Sequence, residues 1–216
     1  MIKRQIILAS KSPRRKELLK QVKIPFKTHI STFLETNDLP KNLSLQKIHV
    51  SSGKCEFGTT KKLFYITPRE YVLKNASGKA ANVAAHYKNA IIIAADTIGF
   101  YKNRILEKPT NFEEAKAMLK SLSGHVHEVY TGLCLIDTRS GQELKEIDCT
   151  KVFFDKLTDS QIEDYLKKEE YLDKAGAFAI QGVAAFFIRR IEGSYSSVMG
   201  LPLHLLRKML EQLGMA

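Results

Sequence analysis

Several residue types are scarce in this 216-residue sequence, and each absence argues against a class of protein. There is no tryptophan, and the other aromatic residues do not alternate with lysine or arginine as they do on a surface that stacks nucleic-acid bases. Nucleic-acid binding is therefore not expected to be the main function. No apolar run approaches the length of a membrane span, and Ile6–Ala9 is too short for a signal peptide. We expect no association with a membrane.

Cysteine is scarce as well. The three cysteines, Cys55, Cys134 and Cys149, are an odd number and form no Cys-x-x-Cys pair. This usage argues against a disulfide scaffold and against structural zinc. His125 and His127 alternate along a predicted strand and share a face, but no further ligand completes a zinc site with them. Unpaired cysteines predict a reducing, cytoplasmic location.

Two hydrolase motifs are also absent. The sequence has no G-x-x-x-x-G-K-S/T, so it does not predict a P-loop nucleotidase. The hydroxyl-rich run Ser194–Ser197 lies in no G-x-S-x-G elbow, so it does not indicate a serine hydrolase.

Positive charge is what the sequence has in excess. Lysine and arginine number 34 against 23 acidic residues, which gives a formal net charge of +11. Such an excess suits a polyanionic partner, and composition cannot tell a nucleotide from a nucleic acid. The length and the hydrophobic share of 44% allow a single domain over residues 1–216 with a substantial core. Within it, residues 38–67 are weakly patterned and are predicted to form a loop or an insertion.

The stretch LASKSPRRKELL, at residues 8–19, carries the first sign of function. Ser12 followed by Pro13 is a typical start of a helix after a short apolar strand. Arg14 and Arg15 then lie in the first helical turn, where the helix dipole is positive and each cation costs roughly 0.3 to 1 kcal/mol. An anion held by free backbone N–H groups and the guanidinium groups would resolve this conflict. A solvated basic turn is the alternative.

The remaining pattern alternates helices with strands early and is dominated by hairpins later, which predicts an α/β fold with a mixed sheet. The apolar run Ala90–Ala95 is typical of a strand buried on both faces, and Asp96 is predicted at its end, where open α/β sheets place their chemistry. Val126–Asp137 and Glu143–Phe154 are predicted to form a long antiparallel pair. Capping signals predict helices after Thr67, Asn111 and Thr158, and further strands are predicted at Gln5–Ala9, Phe26–Ile30 and Phe186–Ile191.

Four sequence blocks occur in a recognisable order. The first is S-x-S-P-R-R-x-E-L-L, which follows an I-L-A strand. The others are AADT with EKP at residues 94–97 and 107–109, DKAGAFAIQG at 173–182, and GSYSSVMGLP at 193–202. In order and spacing they resemble the Maf family of nucleoside triphosphate pyrophosphatases, first discussed as inhibitors of septum formation. They cover nearly the whole chain except the stretch after Leu39, which is longer here than is usual in the family.

This resemblance implies an elongated mixed β-sheet with flanking helices, in two lobes around a cleft shared with the inosine triphosphatase fold. It also implies a metal-dependent hydrolysis of a nucleoside triphosphate to the monophosphate and pyrophosphate, with Mg²⁺, Mn²⁺ or Co²⁺. Asp96 matches the family's proton acceptor, and Asp96 and Glu35 are the candidate metal ligands. Lys79 and Lys108 match two further catalytic positions. The family often has two adjacent acids where this chain has Leu34 and Glu35, so one carboxylate fewer is available here.

Without the family resemblance, structural interpretations of these residues stay open beside the catalytic ones. Without the resemblance, Lys79 would be interpreted as a solvated residue on a helix, and Asp96 as a turn former at the end of a strand. A regulator of cell division that holds a nucleotide or nucleic acid without turning it over is the competing function. The sequence does not decide between a monomer and a homodimer.

Substrate choice follows from the resemblance too. The substrate-binding candidates are Ser10, Ser12, Arg14, Arg15, Thr97 and Gln181. Three of them, Arg14, Thr97 and Gln181, match positions that contact the base or set specificity, and they have these identities in the branch acting on UTP and dTTP. We therefore expect dTTP, UTP or a modified pyrimidine triphosphate as the substrate.

Overall fold

The computed structural model describes residues 4–35, 67–168 and 171–215. The predicted insertion at 38–67, apart from Thr67, and Cys55 lie outside the described residues. Within them, one seven-stranded mixed sheet is flanked by helices, as predicted. The strands are β1 (Gln5–Leu8), β2 (Lys27–Thr28), β3 (Ala90–Tyr101), β4 (Arg104–Leu106), β5 (Val126–Asp137), β6 (Glu143–Phe154) and β7 (Ile188–Glu192). The helices are α1 (Pro13–Gln21), α2 (Pro68–Ala84), α3 (Phe112–Leu122), α4 (Asp159–Lys168), α5 (Tyr195–Val198) and α6 (Leu203–Gln212), with 3₁₀ turns at Ala175–Ala177 and Gly182–Phe187.

The sheet has the order β2-β1-β3-β5-β6-β7, with β4 paired to β3. Strands β2, β1 and β3 are parallel, whereas β4, β5, β6 and β7 join by antiparallel pairing. Because β3, β5 and β6 have 12 residues each, they extend over about 40 Å at the usual rise per residue. The sheet is therefore elongated and mixed, which confirms the predicted fold class.

Local signals account for the starts of the helices. Ser12 caps α1 and Thr67 caps α2, where Glu70 completes a capping box with Pro68 at the first helical position. The Thr158 and Gln161 side chains bond each other's backbone N–H groups in the same reciprocal way before α4. These three predictions are confirmed. The short helix α5 was not predicted, because four residues carry too little pattern.

Asp96 is placed differently from the prediction. Strand β3 does not end before it but continues to Tyr101, so that Asp96 lies inside the strand and faces Gly132 of β5. The prediction of a strand end was wrong because the antiparallel partner continues the hydrogen-bond ladder through this polar residue. The predicted strands Phe26–Ile30 and Phe186–Ile191 are shorter or shifted, to Lys27–Thr28 and Ile188–Glu192.

The core has three apolar clusters. Two of them lie on opposite faces of β1, β3 and β5, and the third lies farther along the sheet at β5 and β6. Helices α1 and α6 cover one face of β1, β3 and β5, and α2 covers the other face. The third cluster joins α3 and α4 to β5 and β6 around Val129, Val152 and Phe154. This arrangement gives two lobes along the sheet, as the predicted fold class requires.

Gly132 lets α2 approach the sheet closely. A Cβ atom at this position would come within 2.6 Å of the backbone carbonyl of Val72, in the first half of α2. Real Cβ atoms do not approach backbone so closely, so any larger residue would push the helix away. Since Gly132 pairs with Asp96 across the sheet, this close approach of α2 lies beside the Asp96 carboxylate.

His127 is buried in the lobe that α3 and α4 form with β5 and β6. Its ring packs against Phe154 and Phe178, with ring centroids 5.5 and 5.3 Å apart. Burial lowers the pKa of His127 to about 4, so the ring is neutral at physiological pH.

No helix in the described part of the chain is both long and apolar enough to cross a membrane.

Candidate active site

A cleft opens where one edge of β3 is uncovered. Strand β1 pairs with Ala90–Ile93 and β4 pairs with Gly99–Tyr101. Among the described residues, no strand pairs with residues 94–98 on that edge. The cleft has a volume of about 960 Å³, and both Asp96 and Thr97 line it. Adjacent residues of a strand point to opposite faces, and both can reach this cleft because it opens at the edge of the sheet.

Lys79 joins the two candidate carboxylates at the centre of the cleft. Its Nζ lies 2.6 Å from Oδ1 of Asp96 and 2.6 Å from Oε1 of Glu35. The three residues come from α2, from β3 and from the segment after β2, far apart in the sequence. The structure therefore brings together three of the four predicted catalytic residues. Asp96 is only 7% exposed, so its charge needs these partners.

The charge state of Glu35 follows from its neighbours. Partial burial alone would raise the pKa of Glu35. The hydrogen bond from Lys79 and the positive charges of Lys79, Arg15 and Lys108 outweigh burial and hold the pKa below its usual value. Glu35 is therefore an ionised carboxylate at neutral pH, and its side chain is 52% exposed toward the cleft.

Glu35 is held in place by the segment that precedes it. The Oγ of Ser31 and the backbone N–H of Thr32 both donate to Oδ1 of Asn82 on α2, each over 3.0 Å. The ring of Phe33 lies on Gly78, where a Cβ atom would come within 2.3 Å of it. Residues 31–35 thus lie along α2, and this contact brings Glu35 next to Lys79.

Asn75 is a polar contact of Asp96 that the sequence reasoning missed. It is fully buried, and its Nδ2 donates to Oδ2 of Asp96 over 3.2 Å. It also hydrogen-bonds Tyr71, one turn earlier on α2. Its spacing in the sequence could have indicated this role. Asn75 lies four residues before Lys79, on the face of α2 that buries Val72 and Ala76. A polar residue on such a face needs a specific partner.

Arg15 and Arg14 have different surroundings although they are adjacent. The Nε of Arg15 donates to the carbonyl of Gly200 over 2.8 Å, and its two terminal nitrogens reach the hydroxyls of Ser10 and Thr97 over 3.2 and 3.3 Å. Burial lowers the pKa of Arg15, against the opposing negative charges of Asp96 and Glu35. Arg15 thus ties α1 to the loop after α5.

Arg14 and Lys108 supply cations that form no direct ion pair among the described residues, although their charges help to lower the pKa of Asp173 and of Glu35, respectively. Both line the cleft, and neither has an ion pair or a side-chain hydrogen bond among the residues described. Ser10 and Ser12 also line it, but their hydroxyls accept local bonds. Oγ of Ser10 accepts from the backbone N–H of Ser12, and Oγ of Ser12 accepts from that of Arg15 as the helix cap.

We predict that the two arginines can be separated by substitution. Arg14→Ala should raise the KM for a nucleotide on the order of ten- to a hundredfold, since a lost charge-assisted bond costs about 1.5 to 3 kcal/mol. Its melting temperature should stay unchanged. Arg15→Ala should in addition lower the free energy of unfolding by about 1 to 3 kcal/mol, because the Gly200 carbonyl loses its donor. The sequence alone predicts that both substitutions remove an unfavourable interaction between a cation and the positive end of the α1 dipole.

Steady-state kinetics and urea unfolding of both variants measure this difference. Lys20→Ala, an exposed cation at the other end of α1, is the control for charge. Equal losses of stability in the two arginine variants, with unchanged KM, would contradict the assignment.

The two candidates for reading the base differ in position. Thr97 lines the cleft, but its hydroxyl already contacts Arg15 and, over 3.0 Å, the hydroxyl of Thr131. Gln181 is half-buried and precedes the 3₁₀ turn at Gly182. Its neighbours Ala179 and Ile180 line the cleft, whereas Gln181 itself does not. The roles of both residues toward a base stay predictions.

The donor groups of the cleft decide what it can hold. Among the described residues, no group of three or more histidine, cysteine or acidic side chains converges to hold a metal by itself. Instead, two carboxylates converge beside cations that form no ion pair. A polyphosphate bound there can supply the remaining oxygen ligands of a divalent metal. The fold and the cleft therefore define an α/β protein with a basic cleft that suits a polyanionic ligand beside two carboxylates.

Comparison with known proteins identifies the family. Residues 5–213 match the family described as Maf-like protein, so the chain belongs to the Maf family. Its relatives include the "dTTP/UTP pyrophosphatase" of Methanosarcina barkeri, which is 41% identical over 99% of this chain and 96% of the relative. Proteins of the same name from Carboxydothermus hydrogenoformans and Clostridium botulinum are 39% and 40% identical, over 97% and 98% of this chain and 99% and 98% of the relatives.

Proposed function

We propose that this chain hydrolyses dTTP and UTP between the α and β phosphates and releases the nucleoside monophosphate and pyrophosphate. The observation that carries the proposal is the contact of Lys79 with both Glu35 and Asp96 in a cleft that also contains unpaired cations. A site that only bound anions would gain nothing from two carboxylates beside the phosphates. The names of the relatives support the same activity.

The cations of the cleft bind and orient the triphosphate. Arg14 and Lys108 are available for phosphate oxygens, and Lys79 adds a positive charge between the carboxylates. Positive groups aimed at the phosphates stabilise the charge that develops as the anhydride bond breaks, often the largest single contribution to catalysis. Arg15 contributes mainly by holding the start of α1 in position through Gly200.

Glu35 and Asp96 would hold a divalent cation, Mg²⁺, Mn²⁺ or Co²⁺. Their chemistry fits, because two hard oxygen donors converge on one point, each 2.6 Å from the same ammonium group. Magnesium in nucleotide enzymes is typically held by one or two carboxylates together with phosphate oxygens. When bound, such a cation supplies charge neutralisation on the phosphates and acidifies a water molecule.

Asp96 accepts the proton of the attacking water. The water oxygen forms a bond to the α phosphorus, the bond from that phosphorus to the bridging oxygen breaks, and pyrophosphate leaves with that oxygen. A carboxylate that is buried and held by two donors keeps a fixed orientation toward the water. Asn75 and Lys79 are those donors here.

Base preference is the prediction that tests this proposal most directly. A uracil or thymine edge offers two carbonyl acceptors around an N–H donor, which a glutamine amide can pair. Cytosine replaces one acceptor with a donor, at a cost of roughly 1 to 3 kcal/mol for an unpaired group. We expect UTP and dTTP to be hydrolysed about ten- to a hundredfold better than CTP. Purine triphosphates should be poorer still.

Pyrophosphate release from a panel of nucleotides, with each of the three metals, measures this preference. Gln181→Glu should reduce it, since an ionised acid cannot donate to a carbonyl. Gln142→Glu, the same change in an exposed turn, is the control. Equal turnover of GTP or ATP and UTP would refute the base preference, and no pyrophosphate release from any nucleotide would refute the activity.

The location and assembly of the enzyme belong to the same proposal. Cys134 and Cys149 are free thiols in the structure, in keeping with a cytoplasmic enzyme. A nucleotide of modest size accounts for the positive charge of the cleft, so nucleic acid is not needed as a partner. The competing function, a regulator that does not turn over its ligand, has no observation in its favour. Size-exclusion chromatography would decide between a monomer and a homodimer.

A further inference from the structure

Asp96 presents its two carboxylate oxygens to different partners. Oδ1 lies 2.6 Å from Nζ of Lys79, which also contacts Glu35 and faces the cleft. Oδ2 lies 3.2 Å from Nδ2 of Asn75, which is fully buried against the sheet. One oxygen is thus directed to the cleft and the other away from it.

The identity of the donor at Oδ2 follows from chemistry. An ionised carboxylate can only accept hydrogen bonds, so the asparagine must turn its NH₂ group toward it. Tyr71, one helical turn earlier, also interacts with the side chain of this asparagine. Because Asn75 has no exposed surface, neither water nor substrate can readily replace it.

We propose that Asn75 is a positioning residue for Asp96, which holds Oδ2 by its buried amide and thereby keeps Oδ1 directed to Lys79 and the cleft. Lys79 is on the same helix, four residues later, so one rigid element positions both partners of the carboxylate. Without the amide, the carboxylate can rotate and bring both oxygens onto Lys79. The ammonium group would then be drawn away from Glu35. The inference rests on the proposed hydrolysis only for its kinetic test.

Two substitutions remove the amide in different ways. Asn75→Leu keeps a branched side chain of similar shape but has no donor. Asn75→Asp keeps the shape and replaces the amide with a second carboxyl group at Oδ2, which can donate only while it is protonated. Outer partners of this kind typically change activity on the order of 10- to 100-fold when lost. We expect kcat with UTP to fall by that factor in Asn75→Leu, and also in Asn75→Asp at a pH where both carboxyl groups are ionised, with KM changed less than about threefold.

Lys74→Leu is the matched control. It introduces the same residue at the neighbouring, exposed position of α2, away from the cleft, and should leave kcat and KM unchanged. An unchanged kcat in Asn75→Leu, or a KM that rises by the same factor as kcat falls, would overturn the proposal. If Asn75→Leu does not fold, Asn75→Asp and the measurement below decide.

A spectroscopic measurement in the metal-free protein does not depend on turnover. With selective asparagine labelling, the side-chain amide of Asn75 should give a proton resonance shifted downfield and slow to exchange, because it donates to a carboxylate in a dry site. This resonance should be absent in Asn75→Leu, move upfield in Asp96→Asn and stay in Lys74→Leu. A resonance indifferent to Asp96→Asn would refute the positioning role. If the wild type hydrolyses no nucleotide, the proposed function fails while this measurement still decides the role of Asn75.

Discussion

Asp96→Asn is expected to lower kcat for UTP by about 10²- to 10⁴-fold, the usual contribution of a general base. The amide has the shape of the carboxylate but can neither take the proton of the attacking water nor neutralise a cation. Glu35 still pairs with Lys79 in this variant, so the segment that carries Glu35 and α2 should stay in place. We therefore expect a melting temperature within a few degrees of the wild type and little change in nucleotide affinity.

Pyrophosphate release and equilibrium binding of a non-hydrolysable analogue separate these two effects. Asp164→Asn, the same change on the exposed face of α4, controls for the loss of one negative charge. Near wild-type kcat in Asp96→Asn would remove Asp96 from the proposed mechanism. A loss of analogue binding equal to the loss of kcat would instead assign Asp96 to substrate binding.

Gly132→Ala is expected to have the second large effect, although Gly132 does not line the cleft. The added methyl group would come within 2.6 Å of the Val72 backbone, so α2 has to move outward. Overpacking of this kind costs about 1 to 3 kcal/mol of stability. Displacement of the helix also carries Asn75 and Lys79 away from Asp96, and a misplacement of about 1 Å at a catalytic group can cost on the order of 10²-fold in rate.

Gly141→Ala is the control that distinguishes a loss of stability from a loss of activity caused by displacement of α2. Gly141 lies in the turn between β5 and β6 at a φ of 76°, and a Cβ atom there would meet nothing within 4 Å. Alanine at this φ is strained by about 1 to 2 kcal/mol, but α2 stays where it is. Thermal unfolding should therefore show losses in both variants, whereas kcat should fall only in Gly132→Ala. An equal kcat in both would show that α2 tolerates the added group without moving.

Helix α2 is the element that all of these contacts share. This helix supplies Lys79 to both carboxylates, Asn75 to the inner side of Asp96, and Asn82 to the segment that carries Glu35. Gly132 and Gly78 allow the sheet on one side and Phe33 on the other to approach it closely. A change in any of these contacts is therefore expected to alter the cleft before it unfolds the protein.

Short-range patterns in the sequence predicted most of the secondary structure. The hairpin of β5 and β6 has the predicted bounds, Val126–Asp137 and Glu143–Phe154, because long alternating strands and a turn are local features. The helix starts at Pro13 and Pro68 were predicted for the same reason, since a cap needs only four residues. The motif around Arg14 and Arg15 also predicted an anion site at the start of α1, and this stays a prediction.

Only the tertiary structure decided how these elements make a cleft. Among the residues that the structure describes, the edge of β3 beside Asp96 is open because β1 ends before it and β4 begins after it. Strand pairing between distant segments leaves no local signal. The same holds for Arg14 and Arg15, which look alike in the sequence, yet only Arg15 bonds Gly200, 185 residues away. In the sequence, only its spacing distinguishes Asn75 from other polar helical residues. Its role depends on Asp96, which only the fold places beside it. The sequence by itself determined where the longer helices begin, the hairpin of β5 and β6, and the charged residues available for catalysis. The pairing of distant strands and the close packing of α2 on Gly132 decided which of these charges meet.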